Sequence, residues 1–70
     1  MDELYKNIKK RREQIGMSQR ELATKCGYTD HTTICKIENG TVDITFGRLK
    51  QIAAALDTTI INLIMGDELR

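Results

Sequence analysis

Two short helical segments, each closed by a glycine, lie back to back in Ser18–Gly40, SQRELATKCGYTDHTTICKIENG, and they constrain the fold more than any other stretch. Ser18 followed three residues later by Glu21 is a capping box. Met17 before the cap and Leu22 after it form a hydrophobic staple. A helix is therefore predicted from about Ser18 to Cys26, stopped at Gly27, where a left-handed cap favours glycine. Thr29 or Asp30 caps the next helix, which runs from about Asp30 to Glu38 and stops at Asn39-Gly40. Two short helices joined this tightly cross at a large angle, the geometry of a helix-turn-helix. Leu22, Ala23 and Cys26 point inward on the first, and the small Ala23 lets the second pack close. On the second, Ile34 and Ile37 point inward. His31, Thr32, Cys35 and Lys36 then face outward, with Thr33 intermediate. That outer face is polar and short-chained and holds few good helix formers, which suggests selection for surface chemistry.

The flanking segments supply the core around this pair. Leu4, Ile8, Arg12 and Ile15 recur at helical spacing, so a helix is predicted from Leu4 to about Gln14, ended by Gly16. Asp2 and Glu3 stand at its start, where acids suit the helix dipole. Lys6, Lys9, Lys10 and Arg11 cover its other sides. Arg12 alone among the inward positions is charged, and a buried charge needs a partner. Glu38, near the end of the second helix of that pair, is the predicted partner, tying the first helix to the helix-turn-helix. Beyond a loop at Thr41–Ile44, Thr45 caps a fourth helix over Phe46–Leu56, with Phe46, Leu49, Ile52, Ala53 and Leu56 as its buried stripe. Asp57-Thr58-Thr59 signals another cap, and a fifth helix spans Ile60–Met65, stopped by Gly66 and followed by a short polar tail. Tyr28 is expected to cover the turn.

The fifth helix, IINLIM, is apolar nearly all round. Six residues cannot bury every side in one small core, so part of Ile60, Ile61, Ile64 and Met65 should stay exposed. An exposed apolar patch marks a partner surface, and a second copy of the chain is the natural partner.

Seventy residues make one domain, residues 1–70. A chain this short buries only about 60% of its unfolded surface, so packing has little slack. An apolar content of 40% with 30% charged residues fits a soluble globular protein. There is no apolar run long enough to span a membrane, and MDELYKNIKKRRE has no apolar centre to serve as a signal peptide. A cytoplasmic location is expected. The net charge is only +1, yet residues 5–40 hold eight basic against four acidic side chains, a local +4. Such a distribution suits a nucleic-acid partner, although a solvated charged face would look the same.

Enzymatic chemistry is not expected, because the single His31 has no Ser-His-acid constellation around it and there is no Gly-rich phosphate loop. No cofactor or small-molecule ligand is expected either. Cys26, His31 and Cys35 offer three metal ligands at poor spacing, whereas structural zinc takes four, so no metal is expected. In a cytoplasmic chain the two cysteines are free thiols by default, with Cys26 read as core and Cys35 as exposed.

Taken together, IKKRREQIGMSQRELA, then TICKIENG, then LKQIAAAL and the closing NLIMG resemble the Cro/C1-type helix-turn-helix domains, the Xre family of bacterial and phage regulators. The resemblance covers residues 4–66. It implies an all-α, five-helix, lambda-repressor-like fold and a dimer on a pseudo-palindromic operator, with the third helix in the major groove. By position it implies that Gln19 binds phosphate and braces the recognition helix, and that His31, Thr32 and Lys36 face base edges. Asn39 and Thr41 would approach the backbone, with Lys9 and Arg20 as further phosphate candidates. Arg12 and Glu38 match the family's internal ion pair. The stretch from Gly27 to Ile34 is one residue longer than the commonest family spacing, as in some repressors of Gram-positive bacteria and their phages. The function expected is sequence-specific DNA binding as a transcriptional regulator, most simply a repressor. An antitoxin or antirepressor that uses the same fold to bind protein is the alternative.

Overall fold

The structure is a computed structural model that describes residues 2–66, without the side chain of Asp2; the polar tail at residues 67–70 lies outside the described residues. Within them the chain forms five helices and no strand: α1 (Asp2–Gln14), α2 (Gln19–Lys25), α3 (Thr32–Glu38), α4 (Phe46–Ala55) and α5 (Ile60–Met65). α1 packs on α3 and α5, α2 packs on α3 and α4, and α4 closes onto α5. At the centre lie Leu4, Ile8, Leu22, Ile34, Ile52, Leu56 and Leu63, all nearly sealed from solvent. Each helix thus contributes at least one apolar stripe to a shared core, as amphipathic periodicity requires.

The helix ends follow from local chemistry. Ser18 Oγ accepts the Glu21 N–H at 3.0 Å, and the Glu21 carboxylate accepts the Ser18 N–H at 3.1 Å, completing the capping box. Thr45 caps α4 through the Arg48 N–H, and Thr59 caps α5 through the Asn62 N–H. At the end of α2, Gly27 turns left-handed with φ +79°. The Tyr28 N–H then reaches Ala23 O at 2.9 Å and the Gly27 N–H reaches Thr24 O at 3.2 Å. This is a Schellman motif. The same pair of bonds ends α4, but there the left-handed residue is Asp57, at φ 54°. An aspartate in this conformation carries a Cβ penalty that glycine escapes. Asp57→Gly is therefore expected to stabilise the fold by about 0.5–1 kcal/mol, net of glycine's greater freedom when unfolded. A thermal unfolding midpoint that falls would refute this.

Three sequence expectations are corrected here. Phe46 was placed in the buried stripe of α4, but it is 67% exposed. It is the first residue of its helix, and a three-residue step falls about 60° short of a full turn, so it stands to one side of Leu49. Ile15 was placed on the inward face of α1, but it lies past Gln14, the helix's last residue, and is 40% exposed. Cys35 is half-buried rather than exposed, and its sulfur accepts a hydrogen bond from Asn39 Nδ2 at 3.5 Å. Cys26 is buried, as expected, and its burial raises its thiol pKa above the ordinary value, favouring the neutral form.

Two ties of α1 had no sequence signal. Asn7 Nδ2 donates to Leu63 O at 2.8 Å, and Arg11 donates through Nε to Leu56 O and through Nη2 to Asp57 O, both at 3.0 Å. They satisfy carbonyls at the C-terminal ends of α4 and α5, where intrahelical partners run out. Arg11, read only as one of the basic residues covering the other sides of α1, is a half-buried clamp.

Candidate nucleic-acid interface

α3 is held from behind by a buried polar network. Arg12 Nε lies 2.7 Å from Glu38 Oε2, and Arg12 Nη2 donates to Glu38 Oε1 at 3.2 Å. Arg12 Nη1 donates to Met17 O at 2.8 Å, and Gln19 Nε2 donates to Glu38 Oε1 at 3.1 Å. The Glu38 side chain is 2% exposed and that of Arg12 is 10% exposed. The hydrogen bond to Glu38 is the main reason the Arg12 guanidinium has a pKa above its ordinary value. A carboxylate this deep is tolerable because three donors reach its two oxygens. One network therefore fastens the last turn of α3 to α1 and to the first turn of α2. One N–H of the Gln19 amide is directed inward to Glu38, bracing the end of α3, and its second N–H is not used in that bond.

Ile34 and Ile37 seat the inner face of α3 in the core, at 0% and 3% exposure. That orientation leaves His31, Thr32 and Lys36 exposed together on the outer side, with Thr33 and Cys35 half-buried at its margins. Asn39, at the C-cap, and Thr41 just beyond it are both exposed. At the end of α3, Gly40 sits at φ +71°, and a Cβ there would come within 3.2 Å of the Tyr5 ring. Glycine serves two needs at this position, the left-handed turn and the close approach of α1. Lys9 on α1 and Arg20 on α2 are exposed cations on the elements that flank α3.

The start of α3 departs from the sequence reading. The helix was expected from Asp30, but it begins at Thr32, with His31 in the N-cap position and no cap bond from the His31 side chain. Asp30 Oδ1 instead accepts the Thr32 N–H and the Thr32 hydroxyl, both at 2.9 Å. An Asx-type turn thus precedes the helix. These two bonds, the backbone one first, lower the Asp30 pKa below the ordinary carboxylate value. His31 Nδ1 lies 3.4 Å from the same oxygen.

Tyr28 covers the turn as expected, half-buried against the core. The Arg48 guanidinium stacks 4.9 Å from its ring centroid, a cation–π contact that joins the turn to α4. Nothing in the spacing of Tyr28 and Arg48 announced this pair, because a tertiary approach creates it. On α5, Ile61, Ile64 and Met65 are exposed at 62%, 47% and 45%, whereas Ile60 is half-buried against the core. Among the described residues no group of His, Cys, Asp and Glu could hold a metal ion, and no helix is long and apolar enough to cross a membrane.

Comparison with known proteins agrees with this architecture. The helix-turn-helix family model HTH_3 matches residues 8–63, which is most of the chain. No curated protein matches it. Among solved structures, the restriction-modification controller protein C.AhdI from Aeromonas hydrophila is similar, with a TM-score of 0.81 and 24% identity. The match covers 87% of this chain and 91% of that one, and at this identity it speaks for the fold. With the family model spanning the first helix through the fifth, the chain belongs to the Cro/C1-type helix-turn-helix family of DNA-binding transcription regulators.

Proposed function

We propose that this protein binds a pseudo-palindromic operator as a homodimer, with α3 in the major groove, and acts as a repressor by occupying that operator. The observation that carries the proposal is the division of α3 into two faces. One is fixed by Ile34, Ile37 and the Arg12–Glu38–Gln19 network; the other presents His31, Thr32 and Lys36 to solvent. A reading helix needs this arrangement, because base discrimination depends on side chains held in a constant register. Glu38 is an acid on the same helix as this surface. Its carboxylate is buried and neutralised by Arg12, so it offers no free charge to the phosphates.

In this reading Lys36 donates to guanine O6 and N7, Thr32 and His31 meet neighbouring base edges, and Gln19, Arg20, Asn39, Thr41 and Lys9 contact phosphates. Exposed Ile61, Ile64 and Met65, with the outer edge of Ile60, pair with the same surface of a second copy. The dimer sets two α3 helices about 34 Å apart, one helical turn of DNA.

The test is selection of bound duplexes from a random pool at two salt concentrations, followed by a reporter fused to the selected operator. Enrichment of a palindrome with half-sites about one turn apart, and reporter expression that falls when the protein is present, are the expected results. Affinity should decline with salt at a slope of about −0.9 per phosphate contacted. Absence of any enriched sequence, with binding lost at moderate salt, would favour a protein partner instead. Lys36→Ala on the selected operator should cost about 1–3 kcal/mol at one base pair. Equal weakening on every sequence would reassign Lys36 to phosphate.

A further inference from the structure

A residue just outside α3 fixes the hydrogen bonding of a side chain on its outer face. Asp30 Oδ1 is 2.9 Å from Thr32 N and 2.9 Å from Thr32 Oγ1. An ionised carboxylate has no proton to give, so in the second contact the donor must be the Thr32 hydroxyl. A hydroxyl carries one O–H and two acceptor lone pairs. With its proton committed to Asp30, Thr32 can only accept hydrogen bonds on its exposed side. The bases that donate in the major groove are adenine, through N6, and cytosine, through N4, whereas guanine presents only acceptors and thymine an acceptor beside its methyl. Asp30 is held in its ionised form because the Thr32 bonds favour the carboxylate, and its side chain is 63% exposed without blocking Thr32.

We infer that Asp30 is a specificity-positioning residue: by fixing the polarity of the Thr32 hydroxyl, it makes Thr32 select an amino-bearing base, adenine or cytosine, and reject a keto-bearing one. The inference rests on the reading that α3 enters the major groove. It assigns Asp30, an exposed acid just before α3, a role that charge alone does not supply.

The experiment uses the operator selected by the wild-type protein, varied to all four base pairs at each half-site position, with affinities measured at one salt concentration and one pH. Thr32→Val keeps the shape and a methyl but removes the hydroxyl, so the position whose discrimination it alters is the one facing Thr32. There the wild-type protein should favour adenine or cytosine over guanine or thymine on the facing strand by about 10-fold. Asp30→Ala frees the hydroxyl to donate or accept, and the ratio should collapse to about twofold at that position alone. Asp30→Ser, which keeps a side-chain oxygen near the Thr32 N–H but no longer dictates the proton, should do the same if Asp30→Ala fails to fold. Asp30→Asn retains an amide oxygen for both bonds without the charge. It should preserve the ratio while binding every duplex more tightly. Circular dichroism verifies that each variant is folded. A wild-type preference for a keto base there, or a ratio unchanged in both Asp30→Ala and Asp30→Ser, overturns the inference while leaving the operator reading intact. Failure of the wild-type protein to select any operator overturns that reading itself.

Discussion

Arg12→Met is expected to remove about 3–5 kcal/mol of stability at neutral pH, because it strands a carboxylate in the core. The Glu38 side chain is 2% exposed, and without Arg12 only Gln19 Nε2 still reaches it. A domain of this length has about 4–10 kcal/mol in total, so the loss is comparable to the whole. The pH dependence should report the mechanism. An unpaired buried carboxylate has its folded-state pKa raised above the unfolded value by desolvation. The native variant then binds more protons than the unfolded chain, so its stability falls as pH rises through that folded pKa and recovers as pH drops toward the ordinary carboxylate range. Urea unfolding at pH 7 and pH 5 measures both effects. The double variant Arg12→Met with Glu38→Leu should regain most of the loss at pH 7, since replacing both partners leaves no charge to bury. A single variant that unfolds at the wild-type urea midpoint at both pH values would show that the pair contributes nothing.

Ile61→Asp is expected to leave the fold intact, convert the proposed dimer to a monomer and reduce affinity for the selected operator by about 100-fold or more. Ile61 is 62% exposed, so the substitution removes little core contact and places a charge in the middle of the proposed interface. The size of the effect comes from bivalency: joining two half-site readers makes the second binding event intramolecular, which is worth about 10²–10⁴ in affinity. Sedimentation gives the oligomeric state, and fluorescence anisotropy on the selected operator and on a single half-site gives the affinity. Half-site binding should be nearly unchanged. An Ile61→Asp protein that is still dimeric would move the interface elsewhere, with exposed Phe46 and Ile15 the next apolar positions to test.

Much of this was legible in the chain because it depends on neighbours in sequence. The Ser18–Glu21 capping box, the Thr45 and Thr59 caps, and the stops at Gly27 and Gly40 each involve residues within one turn of one another. Ile34 and Ile37 could be placed inward by a three-residue step. The Arg12–Glu38 pair spans a longer distance, yet it was readable, since a charge on an apolar stripe demands an opposite charge and few acids stood in reach. Two of the errors fell where a helix ends. Ile15 and Phe46 obey the periodicity of their segments, but the core does not extend to the segment tips.

The candidate reading surface divides along the same line. Local pattern alone determined that α3 exists, that Ile34 and Ile37 face inward, and that Thr32 and Lys36 therefore face out, because helical geometry ties position to direction. Only the folded molecule decided that the helix begins at Thr32, with Asp30 holding its hydroxyl, that Arg11 clamps the end of α4, and that Arg48 stacks on Tyr28. Those contacts arise where separate elements converge, or where a longer turn chooses among several caps. In such places competing bonds of similar strength are settled by packing, and no spacing in the chain encodes the winner.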